Sequence, residues 1–456
     1  MASPSIVWFR DDLRLTDNPA LRAALDRDEP IIALYVLDEE SDGVRAIGGA
    51  ARWWLHGSLT SLGERLAERG STLVLRRGAA SEVLPAVVEE VGAGAVFWNR
   101  RYGGAEREID AGLKEKLRDE GVDVASFAAN LLYEPWTVRT QSDKPYGVYS
   151  PFARAVQKLA APRPPMPEAR KVPGVSASVD SDDLSSWSLL PSKPDWAGGL
   201  RETWEPGEPA AKARLKEFLD DDLGDYSTYR DEFAGGATSN LSPRLRWGEL
   251  SPYQVWHETL EHKGSGEHAK SAGGFLSELV WREFAWHVTF HSPDIATVNW
   301  RRNFDDFPWP KLNRSHLETW QQGKTGVAVV DAGMRQLWHT GVMHNRVRMV
   351  TASFLIKNLL IDWRHGEQWF WDCLVDADAA SNPFNWQWVA GSGADAAPYF
   401  RVFNPETQRK KFDSHDQYVR EWAPEYLGDN PPEPMVDLGE TRKRALDAYA
   451  QVRHGG

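Results

Sequence analysis

The chain has 456 residues, 41% hydrophobic and 26% charged, enough for a sizeable buried core and for two or three domain-sized units. No apolar run approaches the roughly 20 residues that cross a bilayer, and Met1-Ala2-Ser3-Pro4-Ser5 lacks the pattern of an export signal, so a cytoplasmic protein is expected. One cysteine, Cys373, excludes intrachain disulfides and cysteine-ligated iron–sulfur clusters, while a net charge of −13 excludes a uniformly basic surface but not a local basic patch.

Apolar runs at 5–9, 31–37, 72–75 and 95–98 predict strands buried on both faces. Helical patterns lie between and after them, at 18–27, 50–69, 81–91 and 105–120. Such alternation predicts right-handed βαβ units and a parallel, Rossmann-like sheet over about 1–130. A connector over 131–210 follows, Pro-rich from about 160, with little regular structure expected. From 211 to 456 the pattern is helical throughout, clearest at 215–223, 252–262, 275–291, 328–339, 343–360 and 367–374. The fold expected is therefore an α/β N-terminal domain joined by a long linker to an all-helical domain. The chain's 22 tryptophans suit base stacking or electron transfer as well as core packing.

Several constellations carry chemistry. Glu278, Trp281, Arg282 and Ala285 recur at i, i+3, i+4 and i+7, as do Asn345, Arg348, Met349 and Ala352. A core stripe would be apolar; these faces instead offer a carboxylate, an amide and guanidinium groups beside an indole and a thioether. Together they could floor a pocket for a planar heterocycle, although each alone also suits an amphipathic helix with a local ion pair. In the run from Asp376 through Asp378 to Asn382-Pro383, the Asn-Pro pair reads as a cap and first-turn proline. The two carboxylates lack further ligands nearby, so no metal is expected, and pairing with Arg348 or with sugar hydroxyls fits better. Tyr226, Arg230 and Thr238-Ser239-Asn240-Leu241-Ser242-Pro243 could hold a phosphate, or simply form a turn. Arg401 and Arg409-Lys410-Lys411 lie near Trp386 and Trp388 in the sequence, and Arg346 lies on the polar helix with Asn345 and Arg348, as phosphate contacts around an aromatic pocket would.

These residues resemble the photolyase/cryptochrome flavoproteins, from about residue 5 to about 448. The likeness is carried by the motifs at 8–18, 238–243, 278–284, 340–349, 376–378, 385–388 and 400–405. It implies a helical domain holding FAD, with Tyr226, Thr238, Ser239, Asn240, Leu241 and Ser242 around its phosphates. Glu278, Arg282, Asn345, Arg348, Asp376 and Asp378 would face the flavin or its sugar, and Asn382 would sit opposite flavin N5. Asn at this last position is the photolyase choice. Within the family, Glu278, Trp281, Asn345, Met349 and Trp388 match the dimer pocket of bacterial class I enzymes, and His344-Asn345 replaces the paired His of 6-4 repair enzymes.

The resemblance thus implies light-driven splitting of cyclobutane pyrimidine dimers in UV-damaged DNA by a monomer of the bacterial cytoplasm. Glu278 is expected to donate to a pyrimidine carbonyl as the neutral acid. Arg230, Arg346 and Arg401 would contact phosphates, with Trp281 and Trp388 on the dimer. Trp386, Trp363 and Trp309 would conduct electrons to the flavin. The alternatives are a cryptochrome-type light receptor and a light-independent electron-transfer flavoprotein. A second antenna chromophore, a folate, deazaflavin or flavin, is also open: Glu106 matches a folate contact, while Ala105 replaces the neighbouring Asn. The chain departs from the family at Asn240, usually Arg, at Val342, often Trp, where a thinner pocket wall is expected, and in a short segment at 426–434.

Overall fold

The computed structural model describes residues 3–396 and 401–453. Strands β1 (Ser5–Phe9), β2 (Ile31–Leu37), β3 (Leu73–Arg77), β4 (Ala95–Asn99) and β5 (Asp123–Phe127) form one parallel sheet in the order β3-β2-β1-β4-β5. Helices α1 (Pro19–Leu25), α2 (Gly49–Glu68), α3 (Ala80–Val91) and α4 (Gly104–Asp119) make the crossovers. Every residue of β1, β2 and β4 is buried, which is why these strands read as unbroken apolar runs. β5 adds to the four expected strands. It is an edge strand in which only Val124 is buried, so no apolar run announces it.

The linker carries the helix Tyr149–Val156, several short turns and, at its end, the helix Gly198–Thr203 and the start of Glu208–Glu217. It is strapped to the α/β layer, not free of it. Ile31 N donates to Pro173 O (2.7 Å), Val172 N to Arg69 O (2.9 Å) and Met166 N to Asp17 Oδ1 (2.9 Å).

The motif over residues 8–18 is the seam between the two halves. Arg14, fully buried, donates to Asp17 O, Ala129 O and, across the seam, Gly248 O at 2.9 Å. Gly248 has φ +62, and a Cβ there would strike the Asp11–Asp12 backbone, so the two halves meet main chain to main chain.

From Gly198 onward the chain is helical. Two expected helices end earlier than their patterns: single π-helical turns at Phe218–Asp222 and Phe354–Asn358 follow the helices Glu208–Glu217 and Asn345–Ser353. The longest helix, Gly266–His291, starts earlier than expected because Gly273 and Gly274 lie within it.

Two of the departures acquire a location. Val342 packs against the core beneath α1 and α2. The short 426–434 stretch closes over the loop at 323–327. There Tyr426 donates to Asp331, Met435 N donates to Thr325 O at 2.8 Å, and Gly326 (φ +77) leaves no room for a side chain beside Glu433.

Candidate functional site

Three helices meet in the helical half: Gly266–His291 and Asn345–Ser353 both pack on Ser381–Ala390. Each carries residues singled out in the sequence. On the first, Glu278 and Trp281 are half-buried. Trp281 lies face to face with Tyr149 of the linker helix, with ring centroids 3.6 Å apart and planes 6° apart. Tyr149 is a residue that sequence reasoning missed, and its hydroxyl is fixed 2.7 Å from Ser277 Oγ.

Arg282, expected with the flavin residues, is placed elsewhere. Successive helical residues turn by about 100°, so Arg282 and Trp281 sit at opposite edges of the stripe. Its Nη1 donates to Asn130 O (2.8 Å), and the side chain lines a cavity between the two halves. The stripe 278, 281, 282, 285 is therefore no single functional face, and Ala285 belongs to the core.

Two predicted residues from distant parts of the chain converge on the carboxylate of a third, Asp376. Ser242 Oγ donates to Asp376 Oδ2 (2.6 Å), and Arg348 approaches the same carboxylate with both terminal nitrogens, at 3.2 and 2.9 Å. Arg348 Nε in turn donates to Met343 O (2.7 Å). The Asp376–Asp378 loop is held from the other side by Arg246, which donates to Ala377 O (2.9 Å) and to Asp11 Oδ1 (2.7 Å). Asp378 accepts from the backbone N–H groups of Ala380 and Ser381, so it caps the helix Ser381–Ala390. Asn382 is thus not the cap that the Asn-Pro pair suggests; it lies inside the first turn.

The segment before Ser242 is ordered by Arg214, which donates to Thr238 O (3.0 Å) and Ser239 O (2.9 Å) and pairs with Asp222. Asn240 has φ 54, a left-handed backbone that Asn tolerates better than Arg, which accounts for this departure from the family. Leu241 is 1% exposed and belongs to the core beside Tyr226 and Phe275. Tyr226 is buried edge-on to Phe218 and Phe275, with the Arg230 guanidinium 4.9 Å above its ring.

Arg230 Nη2 also pairs with Glu278 Oε1 at 2.8 Å. Glu278 therefore accepts a hydrogen bond from Arg230 in this arrangement. Arg346 pairs with Asp231 (2.5 Å) and lies over Phe412. His344 binds these elements together. Its Nδ1 accepts from Arg346 N (3.3 Å), so Nε2 carries the proton and donates to Arg230 O (2.9 Å). Burial pushes its pKa down to about 4. Asn345 is exposed and Met349 half-exposed, on the open side of their helix. Arg401 is exposed, and Phe400 of the same motif lies outside the described residues.

One helix, Ser381–Ala390, carries Asn382, Trp386 and Trp388. Asn382 is 8% exposed and its Nδ2 donates to Glu367 O (3.0 Å) and Glu367 Oε1 (2.8 Å). Trp386 is buried edge-on to Phe370 (4.9 Å) and Trp320 (6.2 Å), whereas Trp388 is half-exposed. Trp363 is buried, with Nε1 donating to Asn299 Oδ1 (3.0 Å). Trp309 is half-buried against Phe307, with centroids 4.3 Å apart.

The cavity between the halves is lined by Trp8, Arg101, Tyr102, Glu106, Arg282 and Asp378 among others. Arg101 Nε and Nη2, the Tyr102 hydroxyl and Trp8 Nε1 are buried there without hydrogen-bond partners among the described residues. Such orphaned donors suit a polar planar molecule.

Residues 5–170 match the family model of DNA photolyase, and residues 275–428 that of the FAD binding domain of DNA photolyase. A deoxyribodipyrimidine photo-lyase of Agrobacterium fabrum is 47% identical over 99% of this chain and 98% of its own. Cryptochrome-1 of Arabidopsis thaliana is 34% identical over 98% of this chain and 70% of its own. The crystal structure of a bacterial class III photolyase from Agrobacterium tumefaciens superposes with a TM-score of 0.95 at 45% identity, covering 100% of this chain and 98% of that one. The class I affinity suggested by the pocket motifs gives way to a position nearer class III. Relatives this similar over nearly the whole length establish that the chain belongs to the photolyase/cryptochrome family.

Proposed function

We propose that the chain splits cyclobutane pyrimidine dimers in UV-damaged DNA, using FAD and light. The observation that carries this reading is the helix Ser381–Ala390. It presents a buried amide whose oxygen meets no donor among the described residues, a buried indole and a half-exposed indole within three turns. Those are the contacts a flavin, its electron supply and a stacked pyrimidine pair would need.

The residues fit FAD. Ser242 and Arg348, held on Asp376, offer hydroxyl and guanidinium donors suited to the dinucleotide's phosphates and sugar. Thr238 and Ser239 lie half-exposed beside them. Reduced FAD, when bound, supplies the light-excited electron that opens the cyclobutane ring and recovers it afterwards.

The protein's own residues do the rest. A dimer inside duplex DNA is out of reach, and extrusion of the target base is general to enzymes that do chemistry on bases, photolyases included. Trp281, backed by Tyr149, has one ring face committed and the other available for stacking. Trp388 supplies a second aromatic surface. Asn345, Met349 and Glu278 would contact the pyrimidines from the open side. Arg230, Arg346 and Arg401 would take the flanking phosphates, Arg230 and Arg346 by exchanging Glu278 and Asp231 for phosphate. Trp386, Trp363 and Trp309 would return the flavin to its reduced state. The cavity between the halves would take a second chromophore, a folate, deazaflavin or flavin. The reading has the chain act as a monomer in the bacterial cytoplasm; no helix among the described residues is long and apolar enough to cross a membrane.

The test is an oligonucleotide with one thymine dimer, incubated with the light-reduced protein in the dark and under blue light. Light-dependent recovery of the two thymines is expected. A protein that binds FAD and photoreduces but leaves the dimer intact would overturn the reading in favour of a cryptochrome-type receptor.

A further inference from the structure

Asn382 is one end of a chain of contacts that reaches the other half of the molecule. A carboxylate and a carbonyl can only accept hydrogen bonds, so the amide nitrogen of Asn382 must face Glu367, and its Oδ1 must face away. No donor among the described residues meets that oxygen. Glu367 is gripped in turn by Arg45, whose Nη1 reaches Oε1 at 2.7 Å and whose Nη2 reaches Oε2 at 2.9 Å. The Glu367 side chain is 3% exposed. Arg45 belongs to the loop ahead of α2, lies over the Trp371 ring at 4.0 Å and lines the cavity between the halves.

A planar guanidinium on both oxygens fixes the plane of the carboxylate as well as its charge. Without it Glu367 would be a buried, unpaired anion, which is strongly unfavourable. Rotation of Glu367 away from the site would relieve that and release the Asn382 amide to flip. We propose that Arg45 is a positioning residue for the flavin site: through Glu367 it dictates that Asn382 presents its oxygen, not its nitrogen. This rests on the reading that Asn382 faces flavin N5. An oxygen acceptor suits the N5–H of a reduced flavin, whereas a flipped amide would offer N–H to an oxidised one. Arg45 thereby biases the site toward the reduced cofactor.

The test uses the full FAD-loaded chain and reads FAD content and the rate at which light-reduced protein regains oxidised flavin absorbance in the dark. Arg45→Ala is expected to keep its FAD and to reoxidise about fivefold faster, the factor that one net hydrogen bond carries. Arg45→Lys should fall between the two, and Arg45→Ala should add nothing once Asn382 is Ala, because the effect passes through that amide. If Asn382→Ala alters the rate and Arg45→Ala does not, the proposal fails and the flavin-facing reading stands. If Asn382→Ala leaves the rate unchanged, that reading itself is at fault. Should Arg45→Ala lose its FAD, Arg45→Gln takes its place, and a parent-like rate in that variant overturns the proposal.

Discussion

Arg230 and Glu278 are joined by a 2.8 Å ion pair, although the two were expected to serve different parts of a DNA substrate. The pair is partly exposed, with 28% and 39% of the two side chains accessible, so it is worth no more than ~1 kcal/mol and is easily exchanged for a phosphate. We expect Arg230→Ala to change thermal stability little. It should weaken binding to dimer-containing DNA and lower the slope of log affinity against log salt by about 1. Titrations at several salt concentrations check this; an unchanged slope would mean that Arg230 stays with Glu278 in the complex.

Asp376 is the hinge of the proposed FAD site. Its carboxylate, 5% exposed, serves Ser242 and Arg348 together. Asp376→Asn keeps the shape but removes the charge, leaving the Arg348 guanidinium without its counter-ion. Loss of one partner from a largely buried pair costs about 3 kcal/mol. Purified Asp376→Asn should therefore melt earlier and hold FAD at least roughly tenfold more weakly, about 1.4 kcal/mol in binding. Release of flavin fluorescence on dilution measures the second effect, and parent-like retention would show that the carboxylate serves only the fold.

The sequence made some of this legible and hid the rest for physical reasons. β1, β2 and β4 are buried on both faces, so their apolar runs reveal them; β5, with one buried residue, carries no such signal. The pairing of Arg348 with Asp376 was readable because charge complementarity is a property of residue types. The placement of Arg282 was not, because a stripe at i, i+3 and i+4 spans about 100° of helix and its neighbours decide which edge meets which partner. Tyr149, Arg45 and Glu367 escaped for another reason. Each acts on a singled-out residue from far along the chain, and only the fold brings them together.

His344 gives the site a pH dependence. Its ring is buried among Arg346, Arg348 and Asp231, and burial lowers its pKa from 6.5 to about 4. Between those values the unfolded chain binds a proton that the folded one refuses. The contribution to stability is therefore full above about pH 6.5 and is lost as the pH falls toward 4. It amounts to a few kcal/mol at most, on the order of 1.4 per pKa unit. His287, also lowered by burial to about 4, acts in the same sense, whereas Glu283, raised by burial to about 7, acts in the opposite one. The difference between parent and His344→Asn isolates the His344 share: the variant's melting temperature should fall less steeply from pH 6.5 to 4. Parallel curves would place the His344 proton outside folding.

Trp386 separates packing from electron supply. Its indole is 3% exposed and wedged edge-on against Phe370, and Gly366 on the neighbouring helix leaves it no room to shift. Phenylalanine keeps most of the apolar contact, so Trp386→Phe should cost about 1–3 kcal/mol, as core substitutions usually do. It removes the most readily oxidised ring beside Asn382 on the same helix. The next indoles on the proposed route are the buried Trp363 and the half-buried Trp309. Photoreduction of the oxidised flavin in Trp386→Phe should therefore slow by far more than its stability falls. Steady illumination with an external donor, followed by flavin absorbance, measures the first, and a thermal melt the second. If photoreduction survives while the melt moves, Trp386 is core and the electrons enter by another path.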